Sequence, residues 1–481
     1  MLRKKFKVDK IKKLVVNGLL FAFGNVGTTI VGILLLPILT AYLIPDEYGT
    51  VDLILALTNI LLPFISLGLG FSIVRFTIEY KSKQRDILLT SLLLFHIIAV
   101  CVALISPFLN LFPSISDYYY LFLLLLYCRS INTIMMQYII GIEKIKLYTV
   151  NGILQTTLTG VLSILFIVYF RLGIFGYLLS NILISLFSTI YLLMYCGITL
   201  KSIKQFKVTD FTLIKDMLGY GFPLIPNDVM WWVVNYSSRF FLISSAGAVA
   251  NGLYAVAVKI PTLLNLASNI FMQSWQLIAF EDEESEKDEN EINTMIFNVF
   301  SLTVFVLAFI LIALNRWLFT ILFSSDYYLG NTATPFLVLG TIFSIFSSYF
   351  ATSSMAIKKT RPIFISTFLG AVLCLIGNYF LISEYAIIGA ALSSAISYFI
   401  VMIYRLWIAR QIANYSVDYI RFFLNIIVLS VFASLKLIAL PLYSDLFVFV
   451  VLIIINYPFV MTLKGVVVKQ LSLIKNKSKV Q

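Results

Sequence analysis

Charged residues are scarce in this 481-residue sequence, since only 12% of residues are Asp, Glu, Lys or Arg, whereas 60% are hydrophobic. Soluble domains carry about 25% charged residues, so a water-soluble globular fold is excluded. With a mean hydropathy of +0.97, the chain can remove this much apolar surface from water only in a bilayer. The sequence therefore predicts an all-α polytopic membrane protein.

Residues that bind metals or form disulfides are also rare. The four cysteines lie inside apolar runs, form no CxxC pair and have no histidine at metal-ligand spacing, so we expect packing roles and no metal site. The single histidine, His96, lies within a predicted span, where a hydrogen-bonded packing role is favoured over a proton relay. No GxxxxGK[ST] loop is present. We therefore expect neither a cofactor nor an enzymatic activity.

The net charge of +12 could suggest nucleic-acid binding, but the basic residues stand in short runs between apolar segments. This pattern is typical of loops that face the cytoplasm and anionic lipid, so membrane lipids and not nucleic acid are the expected partners. At roughly 20 apolar residues per span, the sequence predicts about fourteen transmembrane helices. They are placed at 14–43, 50–74, 86–107, 118–142, 148–170, 173–197, 216–246, 249–280, 292–314, 332–357, 362–382, 385–410, 419–440 and 445–463.

Basic residues alternate in step with these spans. With a cytoplasmic N-terminus, nearly all of them fall in inner loops, Arg405 among them, and only Arg171, Arg316 and Lys436 fall outside. Both termini are therefore expected in the cytoplasm. The inner loop at 281–291 is instead acidic, and we interpret it as a solvated linker, with a docking site as the alternative.

The chain divides into two halves and a tail. An offset of 203 residues aligns Gly18 with Gly221 and Gly49 with Gly252. Both halves then hold six helices that start from the same side, as in a parallel repeat. The predicted segments are a basic N-terminus at 1–13, a six-helix lobe at 14–200, a linker at 201–215, a second six-helix lobe at 216–410, a transmembrane hairpin at 411–463 and a basic tail at 464–481. Two equivalent lobes are typical of an alternating-access transporter, which we expect to be a monomer.

Polar residues inside the spans are functional candidates because they are expensive in hydrocarbon. The cations are Arg129, Arg239 and Lys259, and the acids are Asp52 and Asp228. The surplus of positive charge favours an anionic ligand such as a phosphate, although ion pairs between helices are an alternative. Asn59, Asn132, Asn235 and Gln273 share faces with these charges and could bind sugars, whereas the two acids could couple transport to protons or sodium. Pro63, Gly221, Pro223 and Pro226 are predicted hinges.

Two stretches carry a family resemblance. Residues 34–76, LLLPILTAYLIPDEYGTVDLILALTNILLPFISLGLGFSIVRF, resemble the opening of bacterial polysaccharide-biosynthesis flippases. Residues 239–276, RFFLISSAGAVANGLYAVAVKIPTLLNLASNIFMQSWQ, resemble the matching part of their second half. These flippases belong to the multidrug, oligosaccharidyl-lipid and polysaccharide exporter superfamily. By this match their cavity cations correspond to Arg239 and Lys259, while Arg129 is inferred from its mid-span position alone.

The resemblance implies a V-shaped pair of bundles around a cationic cavity. It also implies the cargo, an oligosaccharide repeat unit linked by diphosphate to undecaprenol. Members of the family move this lipid to the outer leaflet for capsule, exopolysaccharide or O-antigen synthesis, where a polymerase is the expected partner. A lipid II flippase and a cation-coupled multidrug exporter are alternatives within the superfamily. A membrane-embedded glycosyltransferase would need a sizeable extracytoplasmic loop, and the predicted outer loops are short.

Overall fold

In the computed structural model the described residues are 24, 26–105, 116–198, 211–222, 225–279, 286–356, 361–412, 416–438 and 443–457. Within these ranges the chain forms helices joined by turns and short connections, and no β-strand. Nine helices in the described ranges are long and apolar enough to cross a membrane, and three shorter apolar helices accompany them. The prediction of an all-α polytopic membrane protein is confirmed, while the number of fourteen spans stays a prediction.

Within the described ranges the first half contains seven α-helices, each an apolar run that ends at a turn or a connection. They are α1 Val26–Tyr42, α2 Pro45–Ile65, α3 Leu69–Glu79, α4 Gln84–Ile105, α5 Tyr119–Gly141, α6 Ile145–Ile164 and α7 Gly173–Tyr195. Pro45 begins α2 at a position where the missing N–H needs no partner. The Glu47 carboxylate accepts a hydrogen bond from the backbone N–H of Ile44 at 3.2 Å, which caps the same helix end.

Nine α-helices are described in the second half and the tail. They are α8 Phe211–Gly221, α9 Ile225–Ala257, α10 Pro261–Ala279, α11 Glu286–Ala313, α12 Asn315–Leu322, α13 Thr334–Ala356, α14 Arg361–Ile412, α15 Tyr419–Leu435 and α16 Tyr443–Tyr457. Because α11 begins at Glu286, the later part of the acidic stretch at 281–291 is helical.

Two of the predicted spans are not continuous. The span predicted at 50–74 is broken between α2 and α3, where Leu67 and Gly68 have φ of 47° and 66°. Gly68 tolerates this left-handed conformation because it has no Cβ. The span predicted at 249–280 is likewise broken by the turn that precedes Pro261. Prediction from hydropathy alone was wrong here, because apolar composition continues through both turns.

Other backbone reversals lie close to predicted span boundaries. Gly247, at φ 82°, interrupts α9 between the spans predicted to end at 246 and to begin at 249. Ala386, at φ 45°, interrupts α14 next to the predicted boundary at 382–385. Both long helices are therefore pairs of segments that change direction at one residue.

Two hydrophobic cores follow the two halves. One core consists of buried residues between Val51 and Met217, and the other mainly of buried residues between Leu242 and Leu452. Leu36 and Leu39 of α1 and Leu43 just after it belong to the second core, so the end of α1 packs against the second half. The boundary predicted at 200 lies outside the described residues and the one predicted at 216 lies inside α8, so the division into lobes stays a prediction.

The two halves meet through a reciprocal glycine contact. A Cβ at Gly49 would lie 2.0 Å from the carbonyl oxygen of Ala248, and a Cβ at Gly252 would lie 1.9 Å from that of Pro45. Gly49 and Gly252 differ by 203 residues, and so do Pro45 and Ala248. Reciprocal contacts of this kind arise when equivalent surfaces meet across a two-fold axis. They support a parallel repeat with the predicted offset.

The tail forms a hairpin of α15 and α16. Asn425 and Asn456 exchange side-chain hydrogen bonds of 3.3 and 2.8 Å between the two helices. At the turn, Lys436 Nζ forms an ion pair with Asp445 at 2.6 Å. Phe422 of α15 packs on Phe297 of α11, which attaches the hairpin to the second half.

Candidate functional site

A cavity of about 530 Å³ lies among α1, α5, α6 and α7. Tyr48 of α2 contributes from the same half, and Lys259 and Thr262 contribute from the second half. None of the described residues that line it is acidic. The polar lining residues are Thr29, Tyr48, Arg129, Asn132, Thr133, Gln155, Thr156, Thr159, Ser163, Tyr177, Asn181, Ser185, Lys259 and Thr262. The cavity is therefore polar and positively charged, and it belongs mainly to the first half.

Helix geometry directs the polar residues of α5 into this cavity. Arg129, Asn132 and Thr133 are spaced at i, i+3 and i+4 and so share one face. Across the cavity, Gly160 of α6 lets α1 approach closely, because a Cβ there would lie 2.4 Å from the side chain of Leu35. Small residues allow such close helix packing in membranes.

Arg129 and Lys259 face the cavity from different halves of the chain. Neither charged group has a carboxylate or a hydrogen-bond partner among the described residues. Tyr177, which also lines the cavity, is close enough to both cations to interact with them electrostatically. Two cations that have no counter-ion in the described part of the chain, beside hydroxyl and amide groups, can bind an anionic and hydroxyl-rich ligand.

Arg239, the third predicted cation, lies elsewhere. Its Nε donates to Asp52 Oδ2 at 2.8 Å, with side-chain exposures of 6% and 15%. Its Nη1 donates to the backbone oxygen of Asn235 at 2.7 Å, and Tyr398 donates to Asn235 Oδ1 at 2.8 Å. Arg239 is thus neutralised in an ion pair between the two halves, the arrangement that the sequence left open as an alternative to ligand binding.

The remaining predicted site residues are scattered. Asn132 lines the cavity, whereas Asn59 and Asp228 do not line it and have no hydrogen bond or ion pair within the described ranges. The side chain of Gln273 lies outside the described residues. His96 is hydrogen-bonded on both sides, to Leu92 O at 2.6 Å and to the Tyr127 hydroxyl at 2.9 Å.

Two predicted hinge regions touch each other. The break that follows Pro63 contains Gly68, and a Cβ at Gly68 would lie 2.4 Å from the carbonyl oxygen of Gly221. Ser72 also donates to Met217 O at 2.6 Å, which joins α3 to α8. Pro223 lies outside the described residues, and Pro226 is exposed near the start of α9. Movement at these positions remains a prediction.

Sequence reasoning missed several residues. Gln155, Tyr177 and Asn181 line the cavity but are uncharged, so the positions of ionisable groups do not predict them. The prediction that Arg405 lies in an inner loop is wrong. It is 8% exposed inside the second half, where it donates to Ser347, Ser366 and Thr367. Its position near the predicted end of a span gave no signal that it is buried.

Comparisons with known proteins agree with this architecture. An uncharacterised membrane protein of Methanocaldococcus jannaschii is 24% identical over 413 residues, covering 77% of this chain and 78% of that protein. An inward-facing multidrug resistance MATE family transporter of the MOP superfamily superposes with a TM-score of 0.62 at 14% identity, over 80% of this chain and 95% of its own. The lipid II flippase MurJ, in an inward closed conformation, superposes with a TM-score of 0.61 at 15% identity. The match covers 94% of this chain and 100% of the MurJ chain.

These two solved structures show that the chain has the fold of MATE and MurJ transporters. The model of a family described as polysaccharide biosynthesis protein matches residues 14–276, which is more than half of the sequence. The chain belongs to the polysaccharide biosynthesis protein family.

Proposed function

We propose that this protein is a flippase that moves an undecaprenyl-diphosphate-linked oligosaccharide from the inner to the outer leaflet of the bacterial cytoplasmic membrane. The observation that carries the proposal is the pairing of Arg129 and Lys259 on one cavity without described counter-ions. The membership of a polysaccharide biosynthesis family supports the class of cargo. The product would serve capsule, exopolysaccharide or O-antigen synthesis, with a polymerase as the next partner.

The chemistry of the cargo explains the need for such a cavity. A diphosphate headgroup is strongly penalised in hydrocarbon because its charges lose their hydration. A guanidinium binds phosphate oxygens in a bidentate manner, and an ammonium adds a compact point charge. Threonines, amides and tyrosines around the cavity supply hydrogen bonds for sugar hydroxyls. The polyprenyl tail would remain in the bilayer.

The two cations would also connect binding to movement. Arg129 belongs to the first half and Lys259 to the second, so a diphosphate held by both would bridge the halves. Because a ligand favours the conformation that it binds best, such a bridge would stabilise states in which the two cations are close. Alternating access of the two halves follows as the transport mechanism that we propose.

We assign ion coupling to an acid other than the ion-paired Asp52. Asp52 is held by Arg239, whereas Asp228 has no ion pair among the described residues. Asp228 is therefore the carboxylate that we propose as a proton or sodium site. A cation-coupled drug exporter is disfavoured as the overall function, because cationic drugs would need acidic groups in a cavity whose described lining has none.

The test is binding of undecaprenyl diphosphate oligosaccharide to purified protein in nanodiscs. Arg129→Ala and Lys259→Ala should each weaken binding by about 10- to 100-fold, since each removes a charge-assisted hydrogen bond. Arg129→Lys should lose less than Arg129→Ala because it keeps the charge. Lys144→Gln, which removes a cation from an exposed turn outside the cavity, is the control and should bind like the wild type.

Wild-type affinity in both alanine variants would refute the diphosphate site. Binding of a cationic dye in place of the diphosphate lipid would instead indicate the exporter function. Preference for a lipid II headgroup over other lipid-linked sugars would indicate the peptidoglycan alternative.

A further inference from the structure

Three side-chain amides in the first half converge on one hydroxyl group. Ser188 Oγ lies 2.9 Å from Asn132 Nδ2, 2.8 Å from Asn151 Nδ2 and 2.6 Å from Gln155 Nε2. Asn132 and Gln155 line the cavity, whereas Ser188 and Asn151 are buried behind it. The network therefore holds two cavity residues from behind.

A backbone carbonyl determines which way these amides point. The oxygen of Ser185 can only accept, so Asn132 must present Nδ2 to it, at 3.4 Å. Asn132 Oδ1 then faces Gln155, which must present Nε2, at 3.2 Å. The other N–H of Gln155 Nε2 donates to Ser188 Oγ.

The carbonyl oxygen of Gln155 is left without a partner. Both N–H groups of Gln155 are used inside the network, and Oε1 accepts no hydrogen bond from a residue in the described ranges. Gln155 is half-buried on the cavity wall. An acceptor in a fixed orientation beside two cations is suited to a neutral donor, and a sugar hydroxyl is such a donor.

Gln155 is connected to the helix that carries Arg129, which bears on the part of the cargo it would meet. Asn132, which Gln155 contacts, follows Arg129 by three residues on α5, or about 4.5 Å along the helix axis. A diphosphate held by Arg129 would therefore lie about one helical turn from the residue that Gln155 contacts, and the sugar bonded directly to the diphosphate is the sugar of the cargo nearest to that group.

We propose that Gln155 is a specificity-determining residue that accepts a hydrogen bond from a hydroxyl of the sugar attached to the diphosphate. This inference rests on the proposed function and deepens it, since it assigns sugar recognition to the α5–α6–α7 wall and charge recognition to Arg129 and Lys259. Asn132 acts through Gln155 as a positioning residue.

The experiment compares undecaprenyl diphosphate carrying one hexose with unsubstituted undecaprenyl diphosphate, both bound to the full chain in nanodiscs. The wild type should prefer the hexose-bearing lipid. Gln155→Met, which has similar size but no acceptor, should lose about five- to tenfold in affinity for that lipid and nothing for the unsubstituted one. Gln84→Met makes the same replacement at an amide that does not line the cavity, and it should keep the preference.

A series of singly deoxygenated hexose lipids gives a second measurement that does not depend on how well a variant folds. One hydroxyl deletion should weaken binding to the wild type by the same factor and leave Gln155→Met unaffected. The proposal is overturned if Gln155→Met keeps the preference for the hexose or if the wild type has none. Failure of the wild type to bind either lipid would refute the proposed function itself.

Discussion

The contact between the two halves at Gly49 allows a sharp test of the architecture. In Gly49→Ala the new Cβ would lie 2.0 Å from Ala248 O and 2.7 Å from Gly252 N, and both atoms belong to the backbone. No side chain can rotate away, so the helices must separate by about 1 Å or more to reach a tolerable contact. The hydrogen bond from Asn251 Nδ2 to Gly49 O, now 2.8 Å, would lengthen with them.

The expected cost is an overpacking penalty of about 1–3 kcal/mol. Asp52 follows Gly49 by three residues, or about 4.5 Å along α2, so the ion pair with Arg239 would also be strained. The assay is the thermal unfolding midpoint in detergent, followed by intrinsic tryptophan fluorescence. Gly49→Ala should lower the midpoint clearly, and transport should fall because the two halves no longer meet in the same way.

Gly152→Ala is the matched control. Gly152 also lies inside a helix of the first half, but a Cβ there would meet nothing within 4 Å. Alanine should leave stability unchanged or raise it by about 0.5–1 kcal/mol through helix propensity. If Gly49→Ala were as stable and active as Gly152→Ala, the close contact between the halves would be wrong.

Two further predictions concern buried arginines. Asp52→Asn should destabilise the protein by about 3 kcal/mol because it leaves the Arg239 charge uncompensated. The double variant Asp52→Asn/Arg239→Gln should be less destabilised, since no unpaired charge remains. Equal unfolding midpoints for the single and the double variant would contradict a direct pair. Arg405→Met should lower the unfolding midpoint, and Arg405→Lys should not restore it. One ammonium cannot reach the Ser347, Ser366 and Thr367 hydroxyls that three guanidinium nitrogens contact. Full recovery by lysine would show that charge alone matters there.

Hydropathy and charge order sufficed for the membrane class and for most helix positions. Both properties are local, since each span must be apolar by itself and each loop carries its own charges. The offset that pairs Gly49 with Gly252 was also visible, because a repeat leaves equivalent residues at a constant spacing. The break at Gly68 was not predicted, since a glycine within an apolar run has the same composition whether or not the helix continues.

The site was predicted in part. Arg129 and Lys259 were identified because a charge inside a span is conspicuous, and both line the cavity. Gln155 was missed because a neutral amide is not conspicuous, and its free acceptor depends on three partners from α5 and α7.

The sequence by itself determined that the chain is a membrane protein of two related halves with an excess of buried positive charge. Only the tertiary structure decided which charges remain available. Asp52 and Arg239 are 187 residues apart and meet because α2 and α9 cross between the halves. Spacing along one helix could exclude a pair within that helix, but it could not identify a partner on another one. Arg129 and Lys259 therefore supply the positive charge of the cavity, whereas Arg239 joins the two halves through its ion pair with Asp52.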